Sequence, residues 1–162
     1  MRTLILLRHA KSSWNEPGLS DRDRPLDARG ERDAPRMGKR LAELGLDPDF
    51  VLSSPAVRAL ATAMSVARKL DCGRAQVRVD ERLYAADEDD LLEVIREQGD
   101  KAKCVMLVGH NPGMTDLAHR FANAIAHLPT CAAAVFEFDA KSWAGTGDGA
   151  PASATLYTPK QS

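Results

Sequence analysis

The chain has 162 residues, of which 44% are hydrophobic and 28% are charged, and its formal net charge is −1. This composition is typical of a folded protein, and the length predicts one domain over residues 1–162. It argues against a protein that binds nucleic acid or a membrane, because the sequence has neither a basic excess nor an apolar run of membrane-spanning length. The N-terminal apolar run is too short for a secretion signal, so we expect a cytoplasmic location.

The three cysteines are Cys72, Cys104 and Cys131, which are widely separated and form no CxxC pair. An odd number at such spacing predicts neither a disulfide framework nor a zinc site. Cys104 opens an apolar run and is best explained as a small buried hydrophobic residue.

Strand-like and helix-like segments alternate along the chain. Short apolar or alternating runs predict strands at residues 3–7, 50–53, 76–79, 104–108, 132–138 and 152–158. Apolar residues at helical spacing predict helices at 31–44, 56–70, 89–98 and 115–125. This order indicates an α/β fold with a mostly parallel central sheet and helices on both faces. The last two strands have no helix between them, which predicts one antiparallel edge strand.

Arginine or histidine residues follow shortly after three of the predicted apolar strands. The first strand runs into Arg8 and His9, the second continues as "VLSSPAVR" to Arg58, and a later one continues as "VMLVGHNPG" through His110. The carboxyl ends of parallel strands lie at one edge of a sheet, where ligands of such folds bind. We therefore expect these four side chains to meet there.

Two helix starts are predicted at the same edge. Ser54 before Pro55 and Asn111 before Pro112 are each typical of an N-cap followed by proline at the first helical position. Helix N-termini favour anions, and two arginines match phosphate oxygens. The combination predicts a phosphate pocket that contains two histidines.

A metal site is the alternative interpretation of the two histidines. Zinc or iron would require nearby carboxylates or thiolates, whereas the expected neighbours are arginines, which repel a cation. We therefore predict no metal and no cofactor. His119 and His127 lie on or just after a helix, where surface or capping roles explain them.

Four segments in order resemble the motifs of the histidine phosphatase superfamily, which includes the phosphoglycerate mutases. They are "LRHAKSSWN", "LDARG", "SSPAVRALATA" and "GHNPG". The short chain, "RHAKSSW" and "GHNPGM" look most like the SixA-type phosphohistidine phosphatases. The resemblance implies a phosphoglycerate mutase-like fold. Ala10, where the family usually has glycine, and Lys11, where mutase-like members have an acidic residue, are departures from the pattern.

The resemblance also implies roles for individual residues. His9 would be the nucleophile and form a phosphohistidine, while Arg8 and Arg58 bind the phosphoryl oxygens and His110 stabilises the group in transit. Asn15 matches an asparagine that often follows the signature, and it and Ser12 are expected to contact the substrate.

A proton donor for the leaving group is less well defined by the sequence. The family often uses a carboxylate, and Glu81, in "VDERLYA" after the third strand, is the candidate. Asp80 and the acidic run at 87–90 are competitors, although that run is better explained as a solvated helix start, since acidic residues suit helix N-termini.

Only a short segment separates Arg58 from His110, which leaves little room for the helical lid of larger family members. An open site suits a phosphorylated protein side chain, or a broad range of small phosphoesters, better than the enclosed mutase reaction, and the resemblance to SixA implies phosphohistidine. The expected activity is therefore that of a protein-phosphohistidine phosphatase, a phosphoric monoester hydrolase in the wider sense. A phosphatase for small phosphomonoesters and a phosphate- or phosphopeptide-binding module without turnover are the alternatives.

Overall fold

The structure, a computed structural model, describes residues 1–159 of the chain. Its strands are β1 (Arg2–Arg8), β2 (Phe50–Ser53), β3 (Val77–Val79), β4 (Cys104–Gly109), β5 (Ala133–Phe138) and β6 (Ser153–Tyr157). Its helices are α1 (Ala28–Glu43), α2 (Val57–Lys69), α3 (Glu88–Arg96) and α4 (Gly113–Phe121). Short 3₁₀ turns lie at Asp21–Asp23, Arg74–Gln76 and Glu81–Leu83. None of the helices within residues 1–159 has the length and apolar character needed to cross a membrane.

The six strands form one sheet in the order β3-β2-β4-β1-β5-β6. Strands β3, β2, β4 and β1 are parallel, whereas β5 is antiparallel to both β1 and β6. The predicted α/β fold with a mostly parallel sheet is confirmed, including an antiparallel pair at one edge. The reversed strand is β5, one position inside that edge, because β6 pairs with its outer side.

Alternate residues of β1 pack on opposite faces of the sheet. Leu4 and Leu6 belong to the core beneath α3 and α4, whereas Ile5 and Leu7 belong to the core beneath α1 and α2. All four side chains are fully buried. Burial on both faces explains why β1 is continuously apolar and why it holds the residues that follow it rigidly.

Helix starts show where local capping differs from the prediction. α1 begins at Ala28, three residues before the predicted 31, because the Asp27 carboxylate accepts a hydrogen bond from the Gly30 N–H at 2.8 Å. The acidic run before α3 is a helix start, as predicted: Asp87 and Asp90 cap each other's backbone N–H groups at 2.8 and 3.1 Å.

Two other predicted caps differ. α2 begins at Val57 rather than directly after Ser54, and its cap residue is Ala56. Asn111 precedes α4 by two residues, yet its side-chain oxygen still accepts hydrogen bonds from the backbone N–H and the hydroxyl of Thr115, at 3.1 and 2.9 Å. The cysteines are all free thiols; Cys104 and Cys131 are buried and Cys72 is half-buried.

Candidate active site

The carboxyl ends of β1, β2 and β4 form one edge of the sheet. Arg8 pairs in register with Gly109, which directly precedes His110. The His9 N–H donates to the Gly109 carbonyl at 3.0 Å, and the His9 carbonyl accepts from the Cys131 N–H at 3.0 Å. The backbone of His9 is thus held from both sides.

The His9 side chain is fixed by a short chain of hydrogen bonds. Its Nδ1 lies 2.8 Å from the Ala10 carbonyl oxygen, which can only accept, so Nδ1 carries the proton and Nε2 carries the lone pair. The Ala10 N–H in turn donates to the hydroxyl of Thr62 at 3.0 Å, and that hydroxyl donates to the Arg58 carbonyl at 2.7 Å. These bonds connect the His9 segment to the first turn of α2.

His110 lies beside His9, as the strand ends predict. The two ring centroids are 5.1 Å apart, and the rings are tilted by 54°. The edge of the Tyr84 ring packs at 5.6 Å, and the Ser54 hydroxyl lies 2.7 Å from Nε2 of His110. Contacts on several sides therefore define the plane of the His110 ring.

Two arginines flank the histidines. Arg58 is only 6% exposed, and its terminal nitrogens donate to the backbone carbonyl and the carboxylate of Asp21 at 2.6 and 3.0 Å. Arg8 is half-buried and donates to the Leu128 carbonyl at 3.1 Å.

Buried nitrogen atoms without a partner concentrate at this edge. Within residues 1–159, four buried side-chain nitrogens make no hydrogen bond, and three of them are Nε of Arg8, Nε of Arg58 and Nδ1 of His110. Leaving a buried polar group unpaired is unfavourable, so such a concentration is typical of a site built for a ligand. Arginine Nε–H groups require an acceptor-rich ligand, and a phosphoryl group presents only acceptor oxygens.

Comparison with known protein families identifies the superfamily of the chain. The family model of the histidine phosphatase superfamily (branch 1) matches residues 4–91, which carry the first three motifs. The chain belongs to this superfamily. A chloroplastic protein of Arabidopsis thaliana with no characterised function is 36% identical over 150 residues, which cover 88% of this chain and 69% of the relative.

Solved structures of histidine phosphatases share the fold. SixA of Agrobacterium tumefaciens, named as a phosphohistidine phosphatase, is 30% identical, with a TM-score of 0.78 over 85% of this chain and 92% of its own. SixA of Nakamurella multipartitia, with the same description, has a TM-score of 0.87 at 24% identity over 99% and 97% of the two chains. The phosphoglycerate mutase-like fold expected from the motifs is thereby confirmed.

Three further residues were predicted to serve this histidine phosphatase site. Ser12 is buried, and its hydroxyl accepts a hydrogen bond from Arg24 at 2.9 Å. Asn15 is exposed, and its backbone N–H donates to the Ser13 hydroxyl at 3.1 Å. Glu81 is 71% exposed, and its carboxylate forms an ion pair with Arg22. Their predicted roles in substrate binding and proton donation stay predictions.

Asp21 and Tyr84 are site residues that the sequence reasoning missed. The Asp21 carboxylate binds Arg58, Arg24 and the Tyr84 hydroxyl, the last at 2.6 Å. These partners, the Tyr84 hydrogen bond first, lower the pKa of Asp21 to about 2. Tyr84 follows the carboxyl end of β3, so the strand-end rule could have indicated it. Asp21 lies in the charged run before the "LDARG" motif, where no comparable signal marks it.

The two histidines at this edge of the sheet are neutral near pH 7. Burial is the main cause that lowers the pKa of His9 to about 3, and the neighbouring His110, Arg58 and Arg8 contribute smaller parts of that shift. Burial also lowers the pKa of His110 to about 4, with Arg58 the next cause. For His9, removal from water contributes more to this shift than the two neighbouring arginines do.

We expect NMR titration of the imidazole resonances to show that His9 and His110 are still neutral at about pH 5.5. The unfolded chain, with ordinary histidine pKa values near 6.5, binds more protons between about pH 4 and pH 6.5. Stability should therefore fall as the pH is lowered through that window. A titration of either ring near its ordinary pKa would contradict the burial seen here.

The segment that follows His9 is positioned by the start of α1. The Lys11 carbonyl accepts from the Asp27 N–H at 3.0 Å, and a Cβ on Gly30 would lie 2.1 Å from the same carbonyl oxygen. This close approach explains why the "LDARG" motif ends in glycine.

Replacing Gly30 with alanine should destabilise the protein by about 2–4 kcal/mol, because the clash outweighs the gain of about 1 kcal/mol in helix propensity. Urea unfolding would measure the change. Gly18→Ala is the control, since no heavy atom lies within 4 Å of its added Cβ. A Gly30→Ala variant more stable than the parent would show that the close approach does not hold.

The remaining histidines lie apart from this site. His119 Nδ1 donates to the Ile125 carbonyl at 3.0 Å just beyond α4, and His127 is exposed. Among residues 1–159, no group of three or more His, Cys, Asp or Glu side chains is arranged to hold a metal ion.

Proposed function

We propose that this histidine phosphatase removes the phosphoryl group from a phosphohistidine side chain of another protein, through a phosphohistidine intermediate on His9. The observation that carries the proposal is the concentration of buried, unpartnered nitrogens of Arg8, Arg58 and His110 around a histidine whose Nε2 is deprotonated. Two SixA structures named as phosphohistidine phosphatases share the fold.

The reaction takes place in two displacements. Nε2 of His9 forms a bond to phosphorus while the N–P bond of the substrate breaks, and the departing imidazole takes up a proton. Water then attacks the phosphorus on His9 and releases inorganic phosphate. Because the Ala10 carbonyl holds the proton on Nδ1, His9 leaves as a neutral imidazole in this second step.

Arg8, Arg58 and His110 stabilise the transferred group. The guanidinium groups bind phosphoryl oxygens and supply the positive charge that a metal ion supplies in many other phosphoryl-transfer enzymes, so we propose a metal-independent reaction. Ser12 and Asn15 remain candidates for contacts around this pocket. In the free protein, the Ser12 hydroxyl is already engaged by Arg24.

The leaving group favours phosphohistidine over phosphate esters. An alkoxide needs a strong acid at its oxygen, and Glu81, the candidate acid, is exposed and engaged by Arg22. A phosphohistidine ring that takes up a proton on its other nitrogen leaves as a neutral imidazole, whose conjugate acid has an ordinary pKa of about 6.5, so the demand on Glu81 is much smaller.

A substrate comparison tests this proposal. We expect kcat/KM for a phosphorylated histidine domain to exceed that for p-nitrophenyl phosphate and phosphoserine by about a hundredfold or more. Efficient cleavage of the esters with no action on the phosphohistidine would overturn the substrate assignment and favour a small-molecule phosphomonoesterase. Binding of phosphate without turnover of any substrate would instead indicate a phosphate-binding module.

A further inference from the structure

Ser54 occupies an unexpected position between β2 and the active site. Its N–H donates to the Val108 carbonyl of β4 at 3.0 Å, and its side chain is fully buried. The sequence predicted that its hydroxyl caps α2, but the helix begins at Val57 and the hydroxyl lies 2.7 Å from Nε2 of His110.

The hydrogen-bond partners of the Ser54 hydroxyl restrict where the His110 proton can be. The oxygen accepts from the Ala56 N–H at 3.2 Å, so its single hydrogen is available to donate to Nε2. With this arrangement, the neutral His110 ring carries its proton on Nδ1. The Nδ1–H then remains as a buried donor without a partner among residues 1–159.

The opposite tautomer satisfies fewer groups. If Nε2 of His110 donated to Ser54, the hydroxyl hydrogen would have no acceptor among residues 1–159, and Nδ1 would be a buried lone pair without a donor. Two buried groups would then be unpaired instead of one, and each such group is unfavourable. A bare Nδ1 would also repel phosphoryl oxygens, whereas Nδ1–H donates to them.

We propose that Ser54 is a positioning residue that selects the Nδ1–H tautomer of His110, so that this N–H donates to an oxygen of the phosphoryl group during transfer to His9. The part of the proposal that concerns the phosphoryl group rests on the proposed phosphatase activity. The tautomer itself can be measured without any turnover.

Nitrogen-15 NMR of the free protein near neutral pH tests the tautomer. We expect a pyrrole-type shift at Nδ1 of His110 and a pyridine-type shift at Nε2, with His110→Ala used for assignment. Ser54→Ala should move both shifts toward those of a mixture. A pyridine-type Nδ1 in the parent protein, or an unchanged tautomer in Ser54→Ala, would overturn the proposal.

The neighbouring Ser53 provides a matched control for the kinetic test. It is also fully buried, and its hydroxyl donates to the Ser54 carbonyl at 2.9 Å rather than to a histidine. We expect Ser54→Ala to slow the phosphorylation of His9 by about tenfold, Ser53→Ala to change it by less than about twofold, and Ser54→Thr to restore most of the rate.

The outcomes separate this proposal from the proposed function. Thermal unfolding of each variant identifies any loss of rate that comes from a loss of folded protein. Equal slowing by Ser53→Ala and Ser54→Ala would overturn the positioning role. A parent protein with the Nδ1–H tautomer but no phosphatase activity would leave Ser54 as the selector of the tautomer and refute only the phosphatase function.

Discussion

Replacing His9 with alanine should lower turnover by at least about a thousandfold and abolish the trapping of phosphate on the protein. The expectation follows from the single deprotonated ring nitrogen that His9 presents beside His110. His110 cannot substitute as the nucleophile, since its Nε2 is engaged by Ser54. Rapid quenching in alkaline detergent, under which phosphohistidine survives, followed by counting of labelled phosphate on the protein would measure the effect.

The control for this experiment is His127→Ala, which removes an exposed imidazole outside the site. It should trap phosphate and turn over substrate like the parent protein. Thermal unfolding of His9→Ala should accompany the assay, because His9 is only 7% exposed and a loss of folded protein must be separated from a loss of chemistry. Full activity of His9→Ala would refute the whole mechanism.

Much of the fold was predictable because the buried strands are continuous apolar runs in the sequence. The bounds predicted for β2 are those observed, Phe50–Ser53, since a proline-containing segment bounds this short run on each side. The meeting of His9 and His110 was also predictable, because parallel strands bring their carboxyl ends to one edge.

Other parts of the site depend on loop paths that no periodicity specifies. Asp21 reaches Arg58 only because the segment after Asn15 folds back over α2, and nothing in its charged sequence marks that path. Ser54 followed by proline is typical of a helix cap, and only its approach to His110 reveals a different role. For Ser54, a tertiary contact overrode a local pattern, whereas for Asp21 there was no local pattern to follow.

Replacing Arg58 with alanine should lower kcat/KM by about a hundred- to a thousandfold, the range for removal of one preorganised charged donor. The structure adds a second reason for a large effect. Arg58 neutralises the Asp21 carboxylate, which Tyr84 and Arg24 also hold in place. In Arg58→Ala this carboxylate remains beside the pocket and repels the phosphoryl group.

A double-mutant cycle separates these two contributions. If Asp21 repels the phosphoryl group once Arg58 is gone, Asp21→Asn should partly rescue Arg58→Ala, so the double variant should be more active than the product of the single effects predicts.

Arg58→Lys should restore only part of the activity, because a single ammonium cannot reproduce the planar fork that bridges Asp21 and a phosphoryl oxygen. Arg82→Ala, which removes an exposed arginine paired with two carboxylates outside the pocket, is the matched control and should change kcat/KM by less than about twofold. Full activity of Arg58→Lys would show that Arg58 need not bridge Asp21 and the phosphoryl group. Strict additivity in the double-mutant cycle would show that Asp21 and Arg58 act independently.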